Sequence, residues 1–245
     1  MIINHIDLTK YKAILFDLDA TLIPFDQKEM SREFFASTHD FERDNNIPGF
    51  AEAFSYAFAQ CKLNHGDCVN KEVFDRCFQE KLEVDDLDSL MDDFYTTSFT
   101  VTKKVLQYRG SEKAMLNSLR DHGKLLICAT NPVFPMSATI TRMDWAGICP
   151  EDFDLVTLHT ESTWCKPNPQ YYLEILHRFD LAPEDVVMIG NDTLDDLGAL
   201  EAGIYSVLID DFLINRSEIN VDDCVRISYE NFLESVNKMA ETPSK

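Results

Sequence analysis

Ala13-Ile14-Leu15-Phe16-Asp17-Leu18-Asp19-Ala20-Thr21 sets four apolar residues directly ahead of two carboxylates spaced two apart. The apolar run suits a buried strand, and carboxylates at the end of such a strand are costly unless something binds them. Side chains alternate faces in an extended chain, so Asp17 and Asp19 start on one side and converge near the strand's C-terminal edge. Open α/β sheets place their ligands at that edge. Alone, an Asp-x-Asp is equally compatible with a satisfied turn, so the weight falls on the rest of the chain.

From residue 105 onward, helix and strand patterns alternate. Ser111 to His122 is amphipathic and stops at Gly123, and Lys124 to Thr130 follows as a buried strand. Pro135 to Trp145 suits a helix with proline at its start. Asp154 to His159 is a weaker strand, Asn168 to Phe179 a helix and Val186 to Gly190 another buried strand. Asp192 to Ala202 has a helical pattern closed by Gly203, followed by strands at Tyr205 to Ile209 and Val225 to Ile227 and a last helix at Tyr229 to Ala240. Short apolar strands separated by helices predict an α/β fold, with a Rossmann-like parallel sheet covered on both faces.

Residues 26–99 break this rhythm. They hold no convincing strand but four helical stretches, near 28–45, 49–63, 70–82 and 85–96, and most of the phenylalanines. This predicts an all-helical insertion with its own small core. The expected division is 1–25 and 100–245 for the sheet-based core and 26–99 for the insertion, with hinges near Pro24–Asp26 and Phe99–Lys103. Cys61, His65, Cys68 and Cys77 fall in this segment without the paired spacing of structural zinc, so the cysteines are expected to be packed thiols.

With 245 residues, 45% of them hydrophobic, the chain can bury a full core. Forty-three acidic against 22 basic residues give a net charge of −21, which repels phosphate backbones and argues against nucleic-acid binding. Residues 26–99 alone carry 17 acidic and 7 basic side chains, so they do not funnel large polyanions. No apolar run approaches the ~20 residues that span a membrane, so no membrane partner is expected. Met1 to Lys10 lacks the apolar core of a secretory signal, and seven irregularly spaced cysteines argue against a disulfide framework. The expectation is a cytoplasmic protein.

Each strand end offers a polar residue. The first gives Asp17, Asp19 and Thr21, the next Thr130-Asn131. A loop after the third carries Lys166-Pro167, and the fourth ends at Gly190-Asn191-Asp192 with Asp196 further on. Parallel strands place all these ends on one rim. Carboxylates clustered there repel one another unless a cation neutralises them. All-oxygen ligation favours a hard cation, and Mg2+ suits a site that leaves room for water and phosphate. A lysine and a hydroxyl beside it suit a phosphoryl group.

These four stations, in this order, resemble the haloacid dehalogenase superfamily, and the insertion resembles its helical C1 type of cap. The resemblance covers about 10–24 and 100–210. It departs at Ala20, where glycine is usual. It implies that Asp17 is a nucleophile forming an aspartyl-phosphate, and that Asp19 protonates the leaving oxygen and then activates water. It further implies Mg2+ held by Asp17, the Asp19 carbonyl and Asp192, with Asp196 and Thr21 supporting. Thr130 and Asn131 would hold phosphate oxygens, and Lys166 would neutralise charge on the nucleophile and the transferring group.

Asp19 discriminates within the family. Members that cleave carbon–halogen bonds resemble a pattern without it, and phosphonate-cleaving relatives carry a small residue there. Its presence favours hydrolysis of a small phosphorylated metabolite. The alternatives are a phosphosugar mutase of the same family and a non-catalytic phosphate-binding module.

Overall fold

The strands are β1 (Ala13–Phe16), β2 (Leu125–Cys128), β3 (Leu155–Val156), β4 (Val186–Gly190), β5 (Tyr205–Ile209) and β6 (Arg226–Ile227). In the computed structural model, which describes residues 1–241, they form one six-stranded sheet in the order β3-β2-β1-β4-β5-β6, every pair parallel. The apolar run at 13–16 therefore becomes the middle of the sheet, with Phe16 opposite Cys128 on one side and Ile189 on the other. The ends of β1, β2 and β4 thus stand next to one another.

Alternation along the strands sorts the core into two faces. Ile14, Phe16, Leu126, Cys128, Val187 and Ile189 face α5 (Glu112–Asp121), α6 (Met136–Trp145) and α8 (Tyr229–Ala240). Phe16 meets Phe232 of α8 edge-on at 5.9 Å between ring centres. Ala13, Leu15, Ile127 and Met188 face Tyr171, Tyr172 and Ile175 of α7 (Pro169–Arg178). Burying both faces is why these strands read as unbroken apolar runs.

The insertion holds α1 (Gln27–Asn45), α2 (Phe50–Cys61), α3 (Asn70–Lys81) and α4 (Leu87–Thr96). Asp26 caps α1, accepting from the N–H groups of Lys28 and Glu29, and Asn46 ends it in the left-handed region at φ +54°. Its core is aromatic: Phe41 lies 4.8 Å from Phe50, and Phe94 is 5.4 Å from Phe50 and 5.7 Å from Phe54. Phe41, Phe50 and Phe94 are fully buried. All four helices fall within two residues of their expected bounds.

The chain leaves and returns through a clip. Phe25 pairs antiparallel with Leu106, and the Gln107 N–H donates to the Pro24 carbonyl at 2.8 Å. The return lies later than Phe99–Lys103 because a 3-10 segment, Ser98–Val105, stays with the helices, burying Phe99 and Thr102.

Three other elements are shorter than expected. β2 stops at Cys128, and β3 pairs only over Leu155–Val156, after which the chain turns toward the insertion: the His159 and Ser162 carbonyls accept from Lys71 and Asn70 N–H at the start of α3. The segment from Asp192 is not an α-helix. The Asp192 side chain takes the N–H groups of Leu194 and Asp195, holding the first residues in a turn, and a 3-10 helix runs Asp196–Ala202. Gly198 sits against the Pro167 carbonyl, where a Cβ would stand 2.2 Å from the oxygen. Cys61 and Cys77 are buried, the Cys61 thiol donating to the Asn70 carbonyl. Among the described residues no helix is long and apolar enough to cross a membrane.

Candidate active site

Asp17 follows β1 directly, its N–H donating to the Ile189 carbonyl at 2.9 Å, so the strand register fixes the side chain at the rim. Lys166, in the loop ahead of α7, reaches it from behind: Nζ is 2.8 Å from Asp17 Oδ1 and 2.7 Å from Asp196 Oδ1. The Lys166 and Asp196 side chains are each 1% exposed. Asp196 Oδ2 accepts from the N–H groups of Asn191 and Asp192 at 2.8 and 2.9 Å. Both Asp196 oxygens are thereby engaged. It anchors the turn after β4 and leaves Asp192 to face the cavity. Gly190 is required beneath it, because a Cβ there would lie 2.2 Å from the Asp196 carboxyl.

Burial, opposed by Lys166 but reinforced by Asp196 and Asp19, drives the Asp17 carboxyl well above the usual carboxylate range. One ammonium serves two buried carboxylates, and each adds to what the other lacks. Lys166 is held well above its ordinary value by the same two partners despite its burial.

Asp19 and its neighbours form a tight turn in which the Leu22 and Ile23 N–H groups donate to the Leu18 carbonyl. Ala20, where the resemblance expects glycine, is buried at φ +59°, in the left-handed region. Thr21 lies behind the rim, its hydroxyl 3.3 Å from Asn191 Oδ1, joining the first strand end to the fourth. Thr130 and Asn131 continue from β2. The Asn131 amide donates to the Lys166 carbonyl at 3.4 Å and to Asp195 at 3.2 Å, while its buried Oδ1 has no partner among the described residues.

The structure therefore brings Asp17, Asp19, Thr130, Asn131, Asp192 and Asp196 to the wall of one cavity of about 440 Å³. Lys166 and Thr21 are not part of that wall; they hold it from behind. Three groups that the sequence reading passed over also line it: Arg142, Asp195 and Arg216. Arg142, from α6, donates to Asp19 and lies 4.3 Å over the Phe134 ring. Arg216, beyond β5, grips Asp192 and Asp195 together. Lys62, at the end of α2, stands 3.7 Å from Asp195. Arg142 had a signal: it occupies the buried stripe of its helix, with Ala138 and Met143, where a charge needs a partner. Arg216 lies in irregular chain with no periodicity to place it.

The fit to a divalent cation rests on chemistry and charge. Five carboxylates (Asp17, Asp19, Asp192, Asp195, Asp196) face four cations (Lys62, Arg142, Lys166, Arg216), and the shortfall falls on Asp17. An all-oxygen set short of positive charge suits a hard metal ion. As placed, no three acidic, histidine or cysteine side chains among the described residues stand together as a metal cage; Asp19 is paired with Arg142 and Asp192 with Arg216.

A model of the haloacid dehalogenase-like hydrolases matches residues 11–203. The chain is similar to the pyrophosphatase PpaX of Bacillus mycoides (strain KBAB4), with 21% identity over 204 residues, 82% of this chain and 84% of that protein. In structure it resembles a HAD phosphatase from Thermococcus onnurineus (TM-score 0.57, 21% identity, covering 94% of this chain and 98% of that one). It also resembles CbbY from Rhodobacter sphaeroides, solved in complex with phosphate (TM-score 0.56, 18% identity, 89% and 93% covered). At these identities the structural likeness speaks for the fold.

Proposed function

The chain belongs to the haloacid dehalogenase-like hydrolases, and on that premise we propose that it is a phosphatase hydrolysing a small phosphate monoester through an aspartyl-phosphate on Asp17. The observation that carries this is the buried Asp17–Lys166–Asp196 contact at the rim, with Asp19 two residues on and a cavity in front. In this reading the Asp17 carboxylate attacks phosphorus while the ester oxygen leaves with a proton from Asp19. Asp19 then takes a proton from water, which attacks the aspartyl-phosphate and frees phosphate and Asp17. Lys166 holds Asp17 in line and offsets its charge, and Thr130 and Asn131 donate to the phosphoryl oxygens. Asp17, the Asp19 carbonyl and Asp192 would hold Mg2+, which when bound offsets charge on the phosphoryl oxygens.

The helices over the rim, residues 26–99, act as a cap on a core of 1–25 and 100–245, shielding the ester from bulk water during transfer. All seven cysteines are free thiols, which supports a cytoplasmic enzyme. The test is phosphate release from small monoesters, with and without magnesium chloride, by the wild-type chain and Asp17→Asn. Release should need the metal, and Asp17→Asn should lower it by at least about 10⁴-fold with the fold intact. Hydrolysis retained by Asp17→Asn overturns the nucleophile assignment.

A further inference from the structure

The cavity has two unlike walls. The rim side is mostly polar and charged, but the cap side is aromatic: Phe34 and Phe35 from α1, Phe54 and Phe58 from α2, then Phe99, with Phe134 joining from the loop after β2. These rings belong to two populations. Phe54 and Phe99 are buried by packing, whereas Phe35 is 50% exposed and Phe34, Phe58 and Phe134 are half-buried. Phe58 and Phe134 meet across the seam between cap and core at 5.3 Å, with planes tilted by 51°. Partly exposed rings gathered around one opening are more than helix packing requires.

Polar groups on this wall are few. Gln27 donates to Ser31, so these two partly satisfy each other, and Ser55 and Lys62 remain, the latter held near Asp195. A polyol leaving group would strip water from several hydroxyls and find few partners here, which is costly. A flat ring would exchange water for ring edges and faces. Arg142 stacked on Phe134 adds a planar cation beside the same opening.

Resting on the phosphatase reading above, we propose that the substrate is a phosphate monoester whose leaving alcohol carries a planar aromatic ring, seated against Phe35, Phe58 and Phe134. The reaction is the hydrolysis already described: the P–O bond to the ring-bearing alcohol breaks, and the alcohol oxygen takes a proton from Asp19. A cavity of about 440 Å³ suits one such molecule rather than an oligomeric chain.

The test compares benzyl phosphate, cyclohexylmethyl phosphate and glycerol 3-phosphate, each with its ester oxygen on a saturated carbon, on the full-length chain with magnesium chloride. Benzyl phosphate should exceed both others in kcat/KM by about tenfold or more. Phe58→Leu and Phe134→Leu, which keep apolar bulk but remove the ring, should each shrink that ratio at least threefold. Equal kcat/KM for the three esters, or ratios unchanged in both variants, overturns the aromatic assignment while leaving the phosphatase reading standing. If none of the three is hydrolysed, the phosphatase reading is what fails. Calorimetric binding of the same esters then decides the pocket: tighter binding of benzyl phosphate by about tenfold supports it, and equal affinities overturn it.

Discussion

The sheet rim and the helical cap face each other across one cavity but are built by opposite means. At the rim, side chains are tied to backbone and to each other: Asp196 alone engages two N–H groups and Lys166. In the cap, position is set by shape, with Phe41, Phe50, Phe54 and Phe94 interlocked. Hydrogen bonds and ion pairs have sharp geometric optima, whereas apolar contacts are non-directional. The rim is therefore suited to fix reacting atoms. The cap can change its lining without losing its fold.

This contrast breaks or sharpens under substitution. The largest effect should come from Asp196→Ala, which leaves Lys166 with Asp17 as its one carboxylate partner and two buried N–H groups unpaired. It should cost about 3–5 kcal/mol in chemical denaturation and at least ~10²-fold in kcat by misplacing Asp17. A variant of near-normal kcat would mean that the rim does not depend on this anchor. Phe94→Ala, in a fully buried ring outside the cavity wall, should cost about 3–4 kcal/mol. Its hydrogen exchange should quicken within α1 to α4 and leave β1, β2 and β4 protected. Equal loosening of the sheet would erase the distinction between the two regions.

His159 probes the seam between them. It is 7% exposed, its Nδ1 has no partner among the described residues, and its carbonyl holds the start of α3. Burial, helped by the Lys71 charge and opposed by Asp88, pushes its pKa down to about 4. The unfolded chain binds a proton below about 6.5 that the folded chain refuses until about 4. This contribution is complete above pH 6.5 and is lost as pH falls toward 4. His159→Gln should reduce the wild-type loss of stability between pH 7 and pH 4.5 by roughly 2 kcal/mol. An identical loss in the variant would place the acid sensitivity elsewhere.

The smallest effect belongs to Ala20→Gly. Relief of left-handed strain, about 1–2 kcal/mol, is offset by a lost buried methyl of ~0.8 kcal/mol and a freer unfolded chain. A net change under about 1 kcal/mol is expected in thermal denaturation. A gain well above that would show that the turn pays heavily for its alanine.

The rim was readable because each strand end carries a local mark, an apolar run followed by a carboxylate, a Thr-Asn or a Gly-Asn-Asp, and four such ends in order say together what none says alone. Arg216 and Asp195 were not, since their meaning depends on a chain reversal between β5 and β6 that no local periodicity encodes. Helix existed where Asp192 to Ala202 was expected, but as a tighter form, because the Asp192 side chain competes for the first N–H groups. The cap helices were legible from their apolar spacing. Which phenylalanines would turn to the cavity was not, for a ring at the same helical phase packs inward or lines an opening according to what stands opposite.

The clip at Phe25 and Leu106 has a consequence for how such a molecule diversifies. Two chain segments that cross side by side, hydrogen-bonded to each other and anchored in the core, make the 80 residues between them a cassette. Recombination or grafting at these two positions exchanges the whole roof while the junctions keep their registry. A new lining for the cavity then requires no renegotiation of the strands that carry Asp17.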